Sequence, residues 1–179
     1  DLLSMIDLKK HVIGWNWWRK QAGSIQFRGK DSWAREQIPF RPPETYELRI
    51  ELERQNRATP IIGLVVGDTR VLFVVDAWFA SPLHAGLCEV RAANSASNGT
   101  IWKGQLLTPG VTSEVRCKVA LNRIHASVDG TTVLDWPGDS DEFSLYWKWQ
   151  TPDGQALLIG AQNGDTNSAV TYHKIELIP

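Results

Sequence analysis

Residues Thr112–Trp136 read TSEVRCKVALNRIHASVDGTTVLDW. Val115, Cys117, Val119 and Leu121 alternate with Arg116, Lys118, Ala120 and Asn122, the period of two that a strand with one buried face requires. Ile124, Ala126 and Val128 then alternate with His125, Ser127 and Asp129, giving a second strand. Asp129-Gly130 follows as a two-residue hairpin signal, because glycine accepts the positive φ of a tight primed turn. Thr131, Val133 and Leu134 start a third strand, which runs out at Asp135-Trp136-Pro137-Gly138. Three antiparallel strands joined by short turns make a meander, a unit from which two-layer sandwiches are built. The stretch predicts an all-β fold.

The flanking sequence extends the pattern. From Tyr46 to Glu53, Tyr46, Leu48, Ile50 and Leu52 point one way and Glu47, Arg49, Glu51 and Glu53 the other, so the second face is solvated. Ile61–Val66 and Val71–Val75 form a hairpin around Gly67-Asp68-Thr69-Arg70, and their unbroken apolar runs predict central strands covered on both faces. Ser24–Arg28 is a short alternating strand. In Ser32–Ile38, Trp33, Arg35 and Gln37 oppose Ala34, Glu36 and Ile38. His11–Trp18 reads as a strand with Trp15 and Trp17 on one face. Leu83–Arg91 and Ile101–Leu107 are weaker strands. Ser140–Trp149 reads as one more, with Leu145, Trp147 and Trp149 opposite Ser144, Tyr146 and Lys148. Pro39, Pro42 and Pro43 mark a loop or sheet edge.

The meander, with its I-x-x-x-V-D-G-x-x-V-x-x-W pattern, resembles the centre of the concanavalin A-like lectin/glucanase superfamily. That group includes laminin G-like modules, family 16 glucanases and 3-keto-disaccharide hydrolase domains. Leu157–Ala161 with Ala169–Leu177 is similar to its closing strands, and Tyr46–Glu53 to an early core strand. The resemblance implies a jelly roll: a two-sheet antiparallel β-sandwich. Such a superfold hosts lectins, hydrolases and adhesion modules alike.

Length and charge narrow the classes. The 179 residues suit a single sandwich domain, 1–179, with residues 1–10 as a lead-in or linker. A net charge of −1, from 19 basic and 20 acidic residues, gives no electrostatic reason to expect nucleic acid. No apolar run approaches the roughly 20 residues of a membrane helix, so membrane insertion is not expected. The chain opens at Asp1 without an initiator Met or a signal-peptide core, which suggests a mature domain or a module cut from a longer protein; an extracellular or cell-envelope location is the expectation. Cys88 and Cys117 permit one disulfide or none, and Cys117 sits among inward residues, as a buried free thiol would.

Catalytic signatures are sparse. The family 16 motif E-x-D-x-x-E does not occur, and Glu51 and Glu53, on one strand face with Arg49 and Arg54 nearby, read as a solvated charge ladder. The chain is therefore not expected to be a glucanase. A sugar-active hydrolase of the 3-keto-disaccharide type is the alternative, and it requires convergent carboxylates, at least one with a raised pKa. The turn Asp139-Ser140-Asp141-Glu142 offers Asp139, Asp141 and Glu142 as oxygen ligands for Ca²⁺, without the full D-x-D-x-D-G loop. His11, His84, His125 and His173 lack metal-ligand spacing.

Nine tryptophans are the compositional outlier. Indole faces stack on the C–H faces of sugars, and they also fill sandwich cores. The sequence reading is a non-catalytic recognition domain whose partner is a saccharide or a neighbouring protein domain, with no cofactor beyond possible Ca²⁺. Trp78, Asp76, Trp147, Trp149 and Arg49 are the expected binding residues. A purely structural module is the further alternative.

Overall fold

A computed structural model describes residues 1–10, 12–13, 18–29, 33–77, 82–163 and 165–178. Its strands are β1 Val12–Ile13, β2 Trp18–Gln21, β3 Ser24–Arg28, β4 Ala34–Gln37, β5 Tyr46–Gln55, β6 Ala58–Val66 and β7 Thr69–Ala77. They continue with β8 His84–Cys88, β9 Trp102–Lys103, β10 Thr112–Ala120, β11 Arg123–Val128, β12 Thr131–Pro137, β13 Leu158–Asn163 and β14 Ala169–Ile178. Two antiparallel sheets face each other. Sheet A runs β1-β4-β13-β6-β7-β8-β9 and sheet B runs β12-β11-β10-β5-β14-β3-β2. The all-β sandwich expected from the meander is the fold observed.

The meander forms one end of sheet B. Asp129 and Gly130 both adopt positive φ, +46° and +79°, as the primed turn demands. The first strand ends one residue early. Leu121, expected on the inner face, lies in the turn beside Asn122 at φ +58° and is 75% exposed. Asparagine tolerates that left-handed backbone better than most residues, so the turn forms there.

Inward residues from both sheets make the main core. Phe27, Leu48, Ile50, Leu52, Cys117 and Tyr172 of sheet B meet Ile62, Leu64, Phe73, Val75, Leu87 and Ile159 of sheet A. Two tyrosine hydroxyls cross between the layers. Tyr46 accepts from the Val65 N–H at 2.8 Å, and the Tyr172 hydroxyl lies 2.7 Å from the Gly160 carbonyl. Residues 1–10 contribute as well: Leu2, Leu3 and Ile6 are buried, and the Lys20 ammonium donates to the Leu3 and Ile6 carbonyls, both at 3.1 Å. Cys88 and Cys117 are free thiols.

The outer faces of the sheets differ. Sheet B presents a polar, open face. Sheet A carries a second apolar layer of Ile61, Leu72, Val74, Ala77 and Leu158, sealed by Trp149 with Trp33 and Leu145 at its margin. This is why β6 and β7 read as unbroken apolar runs. Residues 94–100 cover the β8 side, where Thr100 Oγ1 accepts from the Leu87 N–H at 2.9 Å and Ser95 Oγ lies 3.0 Å from His84 Nε2. No helix among the described residues is long and apolar enough to cross a membrane.

Candidate functional site

The segment from residue 139 to 157, expected in part as a strand, instead lies across the outer face of sheet A. It contains two single-turn 3₁₀ helices, Ser140–Glu142 and Trp147–Trp149. The reason is in the ladder: β6 and β7 already have partners on both sides, so a chain crossing their face finds no free strand edge. It satisfies its own backbone locally, with the Trp149 N–H donating to the Tyr146 carbonyl at 2.8 Å and Gln150 N–H to Trp147 at 3.2 Å. Its side chains do the docking. Trp149 is buried over Gly160, where an added Cβ would stand 2.8 Å from the indole. Downstream, Arg70 holds the segment through the Ala156 carbonyl at 3.0 Å and Thr151 Oγ1 at 2.8 Å. Burial pushes that guanidinium down to about 10, with Asp153 opposing the shift.

Anchored in this way, the 3₁₀ turn lifts Tyr146 and Trp147 into solvent beside half-buried Trp33. Trp33 stands edge-on to Trp149 at 5.6 Å between centroids, Tyr146 is 5.3 Å from Trp33, and Trp147 is 5.9 Å from Tyr146. Trp147 is 64% exposed and Tyr146 40%. The Lys148 ammonium lies 4.7 Å from the Trp33 ring and 5.4 Å from that of Trp147, within cation–π range of both. A shallow recess of about 290 Å³ adjoins the turn, lined by Asp68, Thr69, Arg70, Leu145, Gln150 and Thr151 with Gly154. The site thus pairs apolar ring faces with carboxylate, amide and hydroxyl groups.

The sequence-derived candidates separate in space. Trp147 and Trp149 come together, one as exposed ring and one as foundation. Trp78 lies outside the described residues, as do Trp15 and Trp17. Asp76 closes β7 at φ +50° and is buried at the end of the sandwich. Its carboxylate accepts from the Leu106 and Leu107 N–H groups at 2.7 and 2.9 Å and meets Arg54 of β5 at 3.2 Å, bridging the two sheets. Burial pushes Asp76 up and Arg54 down, against their mutual attraction. Arg49 stands on the outer face of sheet B, 37% exposed, with Glu114 at 2.5 Å, Glu51 at 3.5 Å and Glu176 at 3.9 Å.

The acidic turn also has other company. Glu142 pairs with Arg91 at 2.5 Å, and Asp139 and Asp141 flank it at the surface. Among the described residues no three His, Cys, Asp or Glu side chains converge as metal ligands. Two participants are not expected from the sequence: strand alternation sets Tyr146 and Lys148 on the face opposite Trp147, and the structure has a 3₁₀ turn there instead. At three residues per turn, the spacing of Tyr146 to Trp149 places them differently.

The sequence matches no protein-family model and no curated protein. Solved structures match over nearly the whole fold. The carbohydrate-binding module CBM66 from Bacillus subtilis superposes with a TM-score of 0.58 at 10% identity, covering 90% of this chain and 91% of that one. A putative glycosyl hydrolase from Parabacteroides distasonis gives 0.60 at 12% identity, covering 99% and 93%. The alginate lyase AlyC3 gives 0.55 at 15% identity, covering 91% and 78%. At these identities the likeness is one of fold. The chain has the two-sheet antiparallel β-sandwich of these structures, the architecture that the resemblance of its central meander implies.

Proposed function

We propose that this domain recognises saccharides, and that it does so through a ring row above sheet A, the exposed Tyr146 and Trp147 with half-buried Trp33 beside them. The observation that carries the reading is Trp147: a large indole held 64% open to solvent by a turn whose neighbouring Trp149 is locked into the fold. Exposing such a ring sacrifices burial worth about 1.5–3 kcal/mol, and a rigid aromatic near a polar recess is the anchor that sugar C–H faces stack upon. The fold is shared with a carbohydrate-binding module and with carbohydrate-active enzymes, which supports a saccharide as partner.

Two features favour binding over hydrolysis. The described carboxyls with raised pKa, Glu36 and Asp76, are both sealed in the interior rather than set in an open cleft. Among the described residues lining the adjoining recess there is one carboxylate, Asp68, whose Oδ1 already accepts from Gln155 Nε2 at 2.7 Å.

Affinity electrophoresis through gels containing neutral polysaccharides tests this. Wild-type protein should be retarded by at least one polymer, and Trp147→Ala or Tyr146→Ala should weaken retention about tenfold or more. Equal retardation of wild type and both variants would refute the assignment.

A further inference from the structure

We infer a second binding site, on the opposite side of the sandwich, for the carboxylate of an acidic saccharide. It lies on the outer face of sheet B where β2, β3 and β14 run side by side, a depression of about 250 Å³ lined by Arg19, Gln21, Ser24, Gln26 and Thr171 with Ala22.

Charge pairing distinguishes this end of the sheet, where two guanidiniums stand together. Elsewhere on the same face the arginines are committed, Arg49 to Glu114, Arg116 to Glu114 and Glu47, Arg123 to Asp135, and Lys174 pairs with Glu176, while Lys118 of β10 stands alone among the described residues, across from Glu47. Arg19 and Arg28 are exposed and have no ion-pair partner among the described residues. Register places Arg19 directly across from Gln26, with Arg28 two residues further along the same face of β3. Two uncommitted guanidiniums thus flank one amide, in a protein whose net charge is −1.

The backbone adds a third polar group. Pairing of β14 with β5 slips between Tyr172 and Lys174, a bulge that inserts His173 into the strand. His173, two residues beyond Thr171, faces outward beside it, and the bulge brings Lys174 to the same face opposite Glu51. His173 Nδ1 lies 3.2 Å from Ser24 Oγ, and its Nε2 lies 3.6 Å from Glu53 Oε2. Gln26 Nε2 donates to Thr171 Oγ1 at 3.0 Å, which orients the amide at the wall of the depression. An arginine fork takes a carboxylate bidentately, while the fixed amide and hydroxyls suit the vicinal hydroxyls of a sugar ring.

The neighbouring glutamates set the class of anion. Glu51 and Glu53 border the patch on β5, and a dense polyphosphate laid across the face would meet them as well as the arginines. A uronic acid, with one charge per ring and hydroxyls between, matches two spaced cations among acids and amides.

Titration calorimetry with a uronate tetrasaccharide, and with a neutral tetrasaccharide of the same length, tests the assignment. The uronate should bind wild-type protein, and Arg19→Ala and Gln26→Ala should each weaken it about tenfold, with affinity falling as salt rises. Arg19→Lys should recover only part, because an ammonium lacks the fork. Arg19→Ala should still be retarded by the neutral polysaccharide that retards wild type, so this site stands or falls apart from the ring row above sheet A. Unchanged affinity in Arg19→Ala and Gln26→Ala, or displacement by inorganic sulfate as effective as by uronate, would overturn the proposal.

Discussion

Glu36 should make the stability of this domain fall as pH rises through the neutral range. The residue lies on the inner face of β4 between Ala34 and Ile38, fully buried, and neither carboxyl oxygen has a hydrogen-bond partner among the described residues. Burial, with a smaller push from the charge of Asp7, raises its pKa from 4.5 to about 8. The unfolded chain therefore releases this proton near pH 4.5 while the native state keeps it to about 8. Across that window the native state binds one proton more, so the contribution is complete below the lower value and lost on approach to the upper one. At about 1.4 kcal/mol per pH unit, the interval from about pH 5 to about pH 7.5 costs roughly 3 kcal/mol. In a chain of this size that is a Tm decrease on the order of 10 °C. Glu36→Gln removes the titration and keeps the shape, so its Tm should change far less over the same interval. Scanning calorimetry or denaturant unfolding of both proteins provides the comparison. Parallel pH profiles for wild type and Glu36→Gln would refute the assignment of a neutral, buried acid.

Three other substitutions read out separate parts of the structure. Asp76→Ala leaves Arg54 buried without its counter-ion and frees two backbone donors, so it should cost about 3–5 kcal/mol in urea unfolding. The double variant with Arg54→Met should cost less than the sum of the two single changes. Gly160→Ala brings a methyl group to 2.8 Å from Trp149 and 3.1 Å from the Ala34 carbonyl, and should destabilise by about 1–3 kcal/mol with an altered near-UV indole spectrum. Arg49→Ala breaks three half-exposed ion pairs, yet should cost under about 1 kcal/mol, and less again in high salt.

The parts of the fold that sequence reading recovered are those in which one face is wet and the other dry. Tyr46–Gln55 and Thr112–Val128 alternate because sheet B has a solvated outer face, and that alternation is the strand signal itself. In Ser32–Ile38 the alternation sets Glu36 on the face of Ala34 and Ile38 but does not say which face is buried, because Trp33 stands on the other. Ser140–Trp149 mimicked a strand because Leu145 and Trp149 both pack on sheet A. Periodicity over so few residues does not separate a strand from a chain lying across one. The aromatic site was therefore half legible. Tryptophan content pointed to Trp147 and Trp149, but which ring is exposed depends on Gly160 and Arg70, remote in sequence and brought beneath the turn only by sheet pairing. The patch around Arg19 was illegible for a related reason. Its defining feature is the lack of a counter-charge across neighbouring strands, and that follows from register and from the bulge at His173.

Fluorine NMR of 5-fluorotryptophan-labelled protein tests the central claim most directly, since nine indoles give nine signals that single Trp→Phe substitutions assign. On titration with a polysaccharide that retards the protein, the signals of Trp147 and Trp33 should shift or broaden saturably, while that of buried Trp149 should move least of the three. Saccharide binding that leaves the Trp147 signal unmoved would contradict a recognition surface built on the ring row.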